Sequence, residues 1–153
     1  MIDRLDRIRH YPSTHPLQKL FVFGGAATVM ALFCAAPSAI ADPSVRTQSG
    51  NTRCLAWPGS VVCQYLPGFA QAPVDSSGIH WDLAVVTSAG EFNWAEGNIP
   101  GSPEVMANDV VLNYGQTFHL NGWTIIPSED GTRFTNDGTA HGMFVSINNV
   151  SSF

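Results

Sequence analysis

From residue 53 onward, apolar residues recur at every second position in short runs separated by Gly, Pro, Asn and Asp. No stretch sustains the apolar period of a helix, so the pattern predicts β-strands almost throughout. "IHWDLAVVT" places Trp81, Leu83 and Val85 on one face, "EFNWA" places Phe92 and Trp94, and "DVVLNY" places Val110, Leu112 and Tyr114. With further strands near 61–65, 132–136 and 143–149, the count reaches about nine short antiparallel strands in one small β-sandwich or barrel. Trp81, Trp94 and Trp123 sit at alternating positions and are expected in the core, whereas Trp57 projects from a turn. The one helical signal is "SPEVMA", where Ser102 can cap and Pro103 can occupy the first helical position. "LPGFAQAPVDSSG" and "GNIPGSP" read as surface connections.

Three hairpins have a legible register. In "TFHLNGWTII", Asn121 and Gly122 suit a type I′ turn, which pairs Phe118 with Ile125, His119 with Thr124 and Leu120 with Trp123. In "RCLAWPGSVVCQY", Pro58 and Gly59 suit a type II turn, and pairing outward from it sets Cys54 opposite Cys63 at a narrow, non-hydrogen-bonded site. In "FTNDGTAHGMFVS", a two-residue loop sets Phe134 opposite His141, and a four-residue loop over 137–140 sets Asn136 opposite His141. Either way His141 shares the apolar face of Phe134, Met143, Val145 and Ile147, at the rim of a core.

The chain opens differently. Arg4, Arg7, Arg9 and Lys19 precede an uncharged apolar run from Leu20 to Cys34, which ends in "PSAIADP". A basic lead, a short apolar stretch and the small pair Ala39 and Ala41 are the marks of an export signal over residues 1–41, cleaved after Ala41. The long lead and its Asp3 and Asp6 leave an uncleaved anchor as the alternative. Cys34 follows the bulky Phe33 and reads as one more apolar residue of the signal, not as a lipidation site. Removal of the signal leaves residues 42–153 as one domain with two cysteines, and an oxidising destination makes Cys54–Cys63 a disulfide.

Charge narrows the partners. The mature region carries Arg46, Arg53 and Arg133, no lysine, and ten Asp and Glu, a formal charge of −7. Nucleic acid and anionic membrane surfaces require clustered cations that are absent. His80, His119 and His141 are the residues from which a metal site would be built, but no H-x-H or H-x-x-x-H spacing draws them together, and no cofactor is implied. There is no G-x-S-x-G and no C-x-x-C. Asp82, Glu91, Glu96, Asp109, Glu129 and Asp130 would permit paired-carboxylate hydrolysis, though the turn acids in "SEDGT" and "TNDGT" suit turns for backbone reasons.

The run "YGQTFHLNGWTIIPSEDGTRFTNDGTAHGMFVSINNV", with "RCLAWPGSVVCQ" and the export signal, resembles small exported proteins of actinobacteria, mycobacteria especially. These carry a G-W-T-I segment and a G-T-R-F-T-N-D…H-G-M-F-V-S ending. The resemblance implies export and a single small domain, and it brings no catalytic residue with it. The resulting expectation is a secreted or cell-envelope, non-enzymatic β-domain that binds an envelope protein or glycan. A small metal-assisted or acid/base hydrolase is the alternative.

Overall fold

The computed structural model describes residues 40–153. The export signal expected from the sequence, Cys34 included, lies outside the described residues except for Ile40 and Ala41. No helix among the described residues is long and apolar enough to cross a membrane.

The described residues form β1 (Ser44–Thr47), β2 (Arg53–Trp57), β3 (Ser60–Gln64), β4 (Leu83–Thr87), β5 (Phe92–Ala95), α1 (Pro103–Met106) and β6 (Val110–Leu112). They continue through β7 (Phe118–Leu120), β8 (Trp123–Ser128), β9 (Gly131–Asn136), β10 (Gly142–Val145) and β11 (Val150–Ser152). One sheet has the order β5-β4-β3-β2-β1-β6 and the other β11-β10-β9-β8-β7. Both are open, which makes the fold a sandwich and not a barrel. Their facing sides share one core, in which Val45, Cys54, Ala56, Val61, Cys63, Ala84 and Val86 meet Trp123, Ile125, Phe134, Met143 and Val145.

Three sequence expectations are corrected. There are eleven strands among the described residues, not nine: β1 (SVRT) and β11 (VSS) are short and polar, and carry no alternating apolar signal. The strands are not all antiparallel, since β1 runs parallel to β6 with Val45 opposite Val110 and Thr47 opposite Leu112. The Pro58–Gly59 turn is not type II, because Gly59 is not among the residues with positive φ.

The local expectations fare better. Asn121 (φ 49°) and Gly122 (φ 81°) adopt the two positive φ values of a type I′ turn, and all three predicted β7–β8 pairs are present. Ser102 caps α1 by accepting from the Val105 amide, with Pro103 at its start. Cys54 lies opposite Cys63 with Cα atoms 4.0 Å apart, and the two are disulfide-bonded. The bond faces the core and closes a short loop, so replacing both cysteines by Ala is expected to cost about 2–3 kcal/mol in the chain-entropy account. Urea unfolding of the double variant tests this, and an unchanged midpoint would show that the bond stabilises nothing.

The two connections run mostly over the surface, as expected, but each sends a few side chains inward. Within 65–82, Phe69 and Ala72 are buried, and Phe69 stacks between Tyr65 and Trp94 at centroid distances of 5.7 and 5.4 Å. Gln71 then joins this loop to β11 through the Val150 amide at 2.6 Å. Residues 96–109 form a strap over the outer face of the six-stranded sheet. There the Arg53 guanidinium grips Asp109 with two hydrogen bonds, at 2.6 and 2.9 Å, and donates to the Pro100 carbonyl at 2.8 Å. Beside it, the Gln64 amide donates to Asp82 and Gly97 and accepts from the Ile99 N–H. The core face of β4 is Ala84 and Val86, while the strap covers Leu83 on the other face; Trp81 and Trp94 are partly buried and pack against the core, and Trp123 is buried within it.

Candidate functional site

The end of the sandwich where β1, β8 and β10 finish and β2 and β9 begin holds a cleft of about 330 Å³. Four segments line it: the β1–β2 loop with Thr47, Ser49, Asn51 and Thr52; Tyr114 after β6; the β8–β9 turn from Ser128 to Thr132; and Val145 to Asn148 after β10. The last ladder pairs of both sheets bring these segments together, since Thr47 is paired with Leu112 and Ser128 with Gly131.

Each wall is tied to itself. Thr47 and Thr52 bond through backbone and hydroxyl, and Ser49 Oγ accepts from the Asn51 amide. Ser128 Oγ donates to the Gly131 carbonyl at 2.9 Å, and Ser146 and Asn149 exchange three hydrogen bonds across their turn. Tyr114 is placed by its N–H, which donates to Gln48 Oε1 at 2.9 Å. The hydroxyls of Thr47, Ser49, Ser128 and Ser146 are therefore engaged in holding the loops.

The longer polar groups are not. Among the described residues, no side chain forms a hydrogen bond with the side-chain amides of Asn51 and Asn148, the carboxylates of Glu129 and Asp130 or the Tyr114 hydroxyl, and no backbone group does so either. The exposed Ile147 adds apolar surface, with the buried Val145 beneath. None of the three arginines among the described residues lines this cleft: Arg53 is under the strap, and Arg133 stacks on the Phe153 ring at 3.5 Å. Arg46 borders a second, more open hollow beside α1.

The histidines singled out in the sequence are scattered. His80 lies in the 65–82 loop, paired across a bridge with Val74, and its Nδ1 faces the Ala72 carbonyl at 2.8 Å. A carbonyl oxygen only accepts, so this Nδ1 carries the proton. His119 and His141 lie at the opposite end of the strands, near the turns at 121–122 and 137–140. His141 follows the four-residue loop, with its carbonyl accepting from the Asn136 amide at 2.8 Å, and its ring is exposed beside the Phe153 carbonyl. It shares the parity of Met143 and Val145 as expected, but neither it nor Ile147 is covered. Among the described residues, no three His, Cys, Asp or Glu side chains come within reach of one metal ion.

His119 belongs to a short polar chain. Thr124 Oγ1 donates to Asp137 at 2.6 Å and lies 3.1 Å from His119 Nδ1. The hydroxyl proton is committed to the carboxylate, so Nδ1–H of His119 donates to Thr124. In an acyl-transfer triad the imidazole stands between carboxylate and hydroxyl. Here the hydroxyl stands in the middle, and no base is positioned to draw its proton through an imidazole.

Of the acids that would permit paired-carboxylate hydrolysis, Glu129 and Asp130 both line the cleft, whereas two others are held elsewhere. Asp82 and Asp109 are held inside the strap network. Asp42 is pulled below the usual carboxylate range by the Ser44 backbone N–H, and Glu104 by the Ser102 hydroxyl; both are exposed. A general acid needs the opposite displacement.

Trp57, the turn aromatic, is exposed as expected, and β2 carries it to the far end of the sheet from the cleft. The sequence reading passed over the cleft because its walls are turn residues, and "SEDGT" is sufficiently explained by turn chemistry. Only the meeting of four distant turns distinguishes it. No family model, curated protein or solved structure matches the chain.

Proposed function

We propose that this chain is a secreted or cell-envelope, non-enzymatic interaction module that binds an envelope protein or glycan through the cleft end of the sandwich. The observation that carries the reading is the contrast within the cleft. Hydroxyls of Thr47, Ser49, Ser128 and Ser146 hold the walls, while the exposed side-chain amides and carboxylates and the half-buried Tyr114 phenol converge on one concave end without protein partners, open to a ligand. Export is supported by the basic and apolar lead, by the resemblance to exported actinobacterial proteins, and by a core disulfide that suits an oxidising compartment.

The test is site-specific photo-crosslinking on the exported protein in an envelope fraction. A photoreactive residue at Asn148 is expected to give a discrete adduct that excess unlabelled protein competes away. The same probe at the exposed Ile126, on the outer face of the five-stranded sheet, is expected to give none. Equal labelling at both positions, or none at Asn148, sinks the proposal.

A further inference from the structure

Resting on that reading, we infer that the cleft takes a neutral, hydroxyl-rich saccharide, with Tyr114 as the surface on which a sugar ring packs. The size is the first reason. About 330 Å³ lies at the small end of ligand pockets, roughly 300–1,000 Å³, which suits a short sugar better than a cluster of partner side chains.

The chemistry of the free groups is the second. A carboxylate accepts from two neighbouring hydroxyls at once, and an amide both donates and accepts, so Glu129, Asp130, Asn51 and Asn148 together match a polyol that does the same. Tyr114 is half-buried in the wall with its backbone N–H bonded to Gln48, and it supplies an aromatic ring against which a sugar can pack.

Charge is the third. Glu129 and Asp130 line the cleft without a compensating Arg or Lys, in a mature region of formal charge −7. An anionic sugar would meet repulsion with no cation to offset it. The same carboxylates accept hydrogen bonds from a neutral sugar without that penalty.

The experiment titrates the isotopically labelled exported protein with a panel of neutral oligosaccharides and with trigalacturonate as the anionic control. The panel comprises gluco-, manno-, galacto-, arabino- and N-acetylglucosamine oligomers, and amide shifts are followed by NMR. At least one neutral oligomer is expected to shift resonances of residues 47–52, 114, 128–132 and 145–148 saturably, with trigalacturonate inert. Asn148→Ala and Tyr114→Ala should each weaken that binding about tenfold, the effect of one hydrogen bond or one packed ring. Both positions are outside the core, and an unchanged near-UV spectrum confirms the fold. Should Tyr114→Ala fail that check, Tyr114→Leu serves, keeping bulk while losing the aromatic face.

Trigalacturonate binding as tightly as the best neutral oligomer would overturn the inference. So would binding that survives both variants, or no binding by any neutral member. If no saccharide binds while Asn148 still crosslinks to a protease-sensitive partner, the saccharide assignment falls and the interaction module stands. If neither occurs, both fall.

Discussion

Replacing Asp109 with Ala is expected to lower the stability of the folded domain by about 3–5 kcal/mol, the cost of leaving a buried charge without its partner. The Asp109 side chain is fully buried and that of Arg53 nearly so, and the two are joined by a bidentate bridge. Loss of the carboxylate leaves the guanidinium under the strap with only the backbone carbonyls of Ile99 and Pro100. A double change, Arg53→Met with Asp109→Leu, removes both charges at similar volume and should cost far less than the single change. Urea midpoints of the two variants decide the matter. A single variant that loses under 1 kcal/mol would mean that water reaches the pair.

The bridge also sets a pH range. The Asp109 hydrogen bond raises the Arg53 pKa above its ordinary value, against the opposing effect of burial. A group with a raised folded pKa stabilises fully below its unfolded pKa and loses that contribution only as pH climbs through the folded one. For arginine both points lie beyond the range of ordinary work, so mild alkali leaves the strap closed.

Trp123→Ala is the second large effect, expected at about 3–5 kcal/mol. Trp123 is the largest fully buried side chain, and its indole N–H donates to the Trp57 carbonyl at 2.8 Å, binding one sheet to the other at the end away from the cleft. Trp123→Phe retains most of the apolar bulk and leaves that carbonyl without its donor, so a loss of about 1–3 kcal/mol is expected. Equilibrium unfolding followed by far-UV circular dichroism measures both. Equal losses for the two variants would show that the hydrogen bond, not the packing, dominates; a loss below 2 kcal/mol for Ala would show that the core closes over the gap.

What could be read from the sequence follows distance along the chain. Asn121–Gly122, the Cys54–Cys63 register and the Ser102 cap are decided within about ten residues, where turn chemistry and alternation act directly. The sandwich class was legible for the same reason, though sandwich and barrel could not be separated, because closure depends on edges far apart in sequence. The strap was not legible. Nothing in "GNIPGSP" announces that Arg53 will reach Asp109, and an Ile in a Pro-rich stretch looks like any loop residue until Ile99 is found buried. His80, His119 and His141 drew attention by residue type and proved dispersed. Glu129 and Asp130 were visible as adjacent acids, but their meeting with Asn51 and Asn148 was not, since residues that suit turns and residues that bind ligands are the same residues.

The parallel pairing of β1 with β6 has a kinetic consequence. The hairpins β2–β3, β7–β8, β8–β9 and β10–β11 close over a few residues each and can form early. The meeting of Val45 with Val110 must close a loop that includes four strands, the 65–82 segment and the strap, and its entropy is lost before any contact repays it. This pairing is therefore among the last to form, and it leads directly to Tyr114. A chain still folding would hold its hairpins before it completes the cleft, so the walls of the cleft meet only when folding is nearly finished.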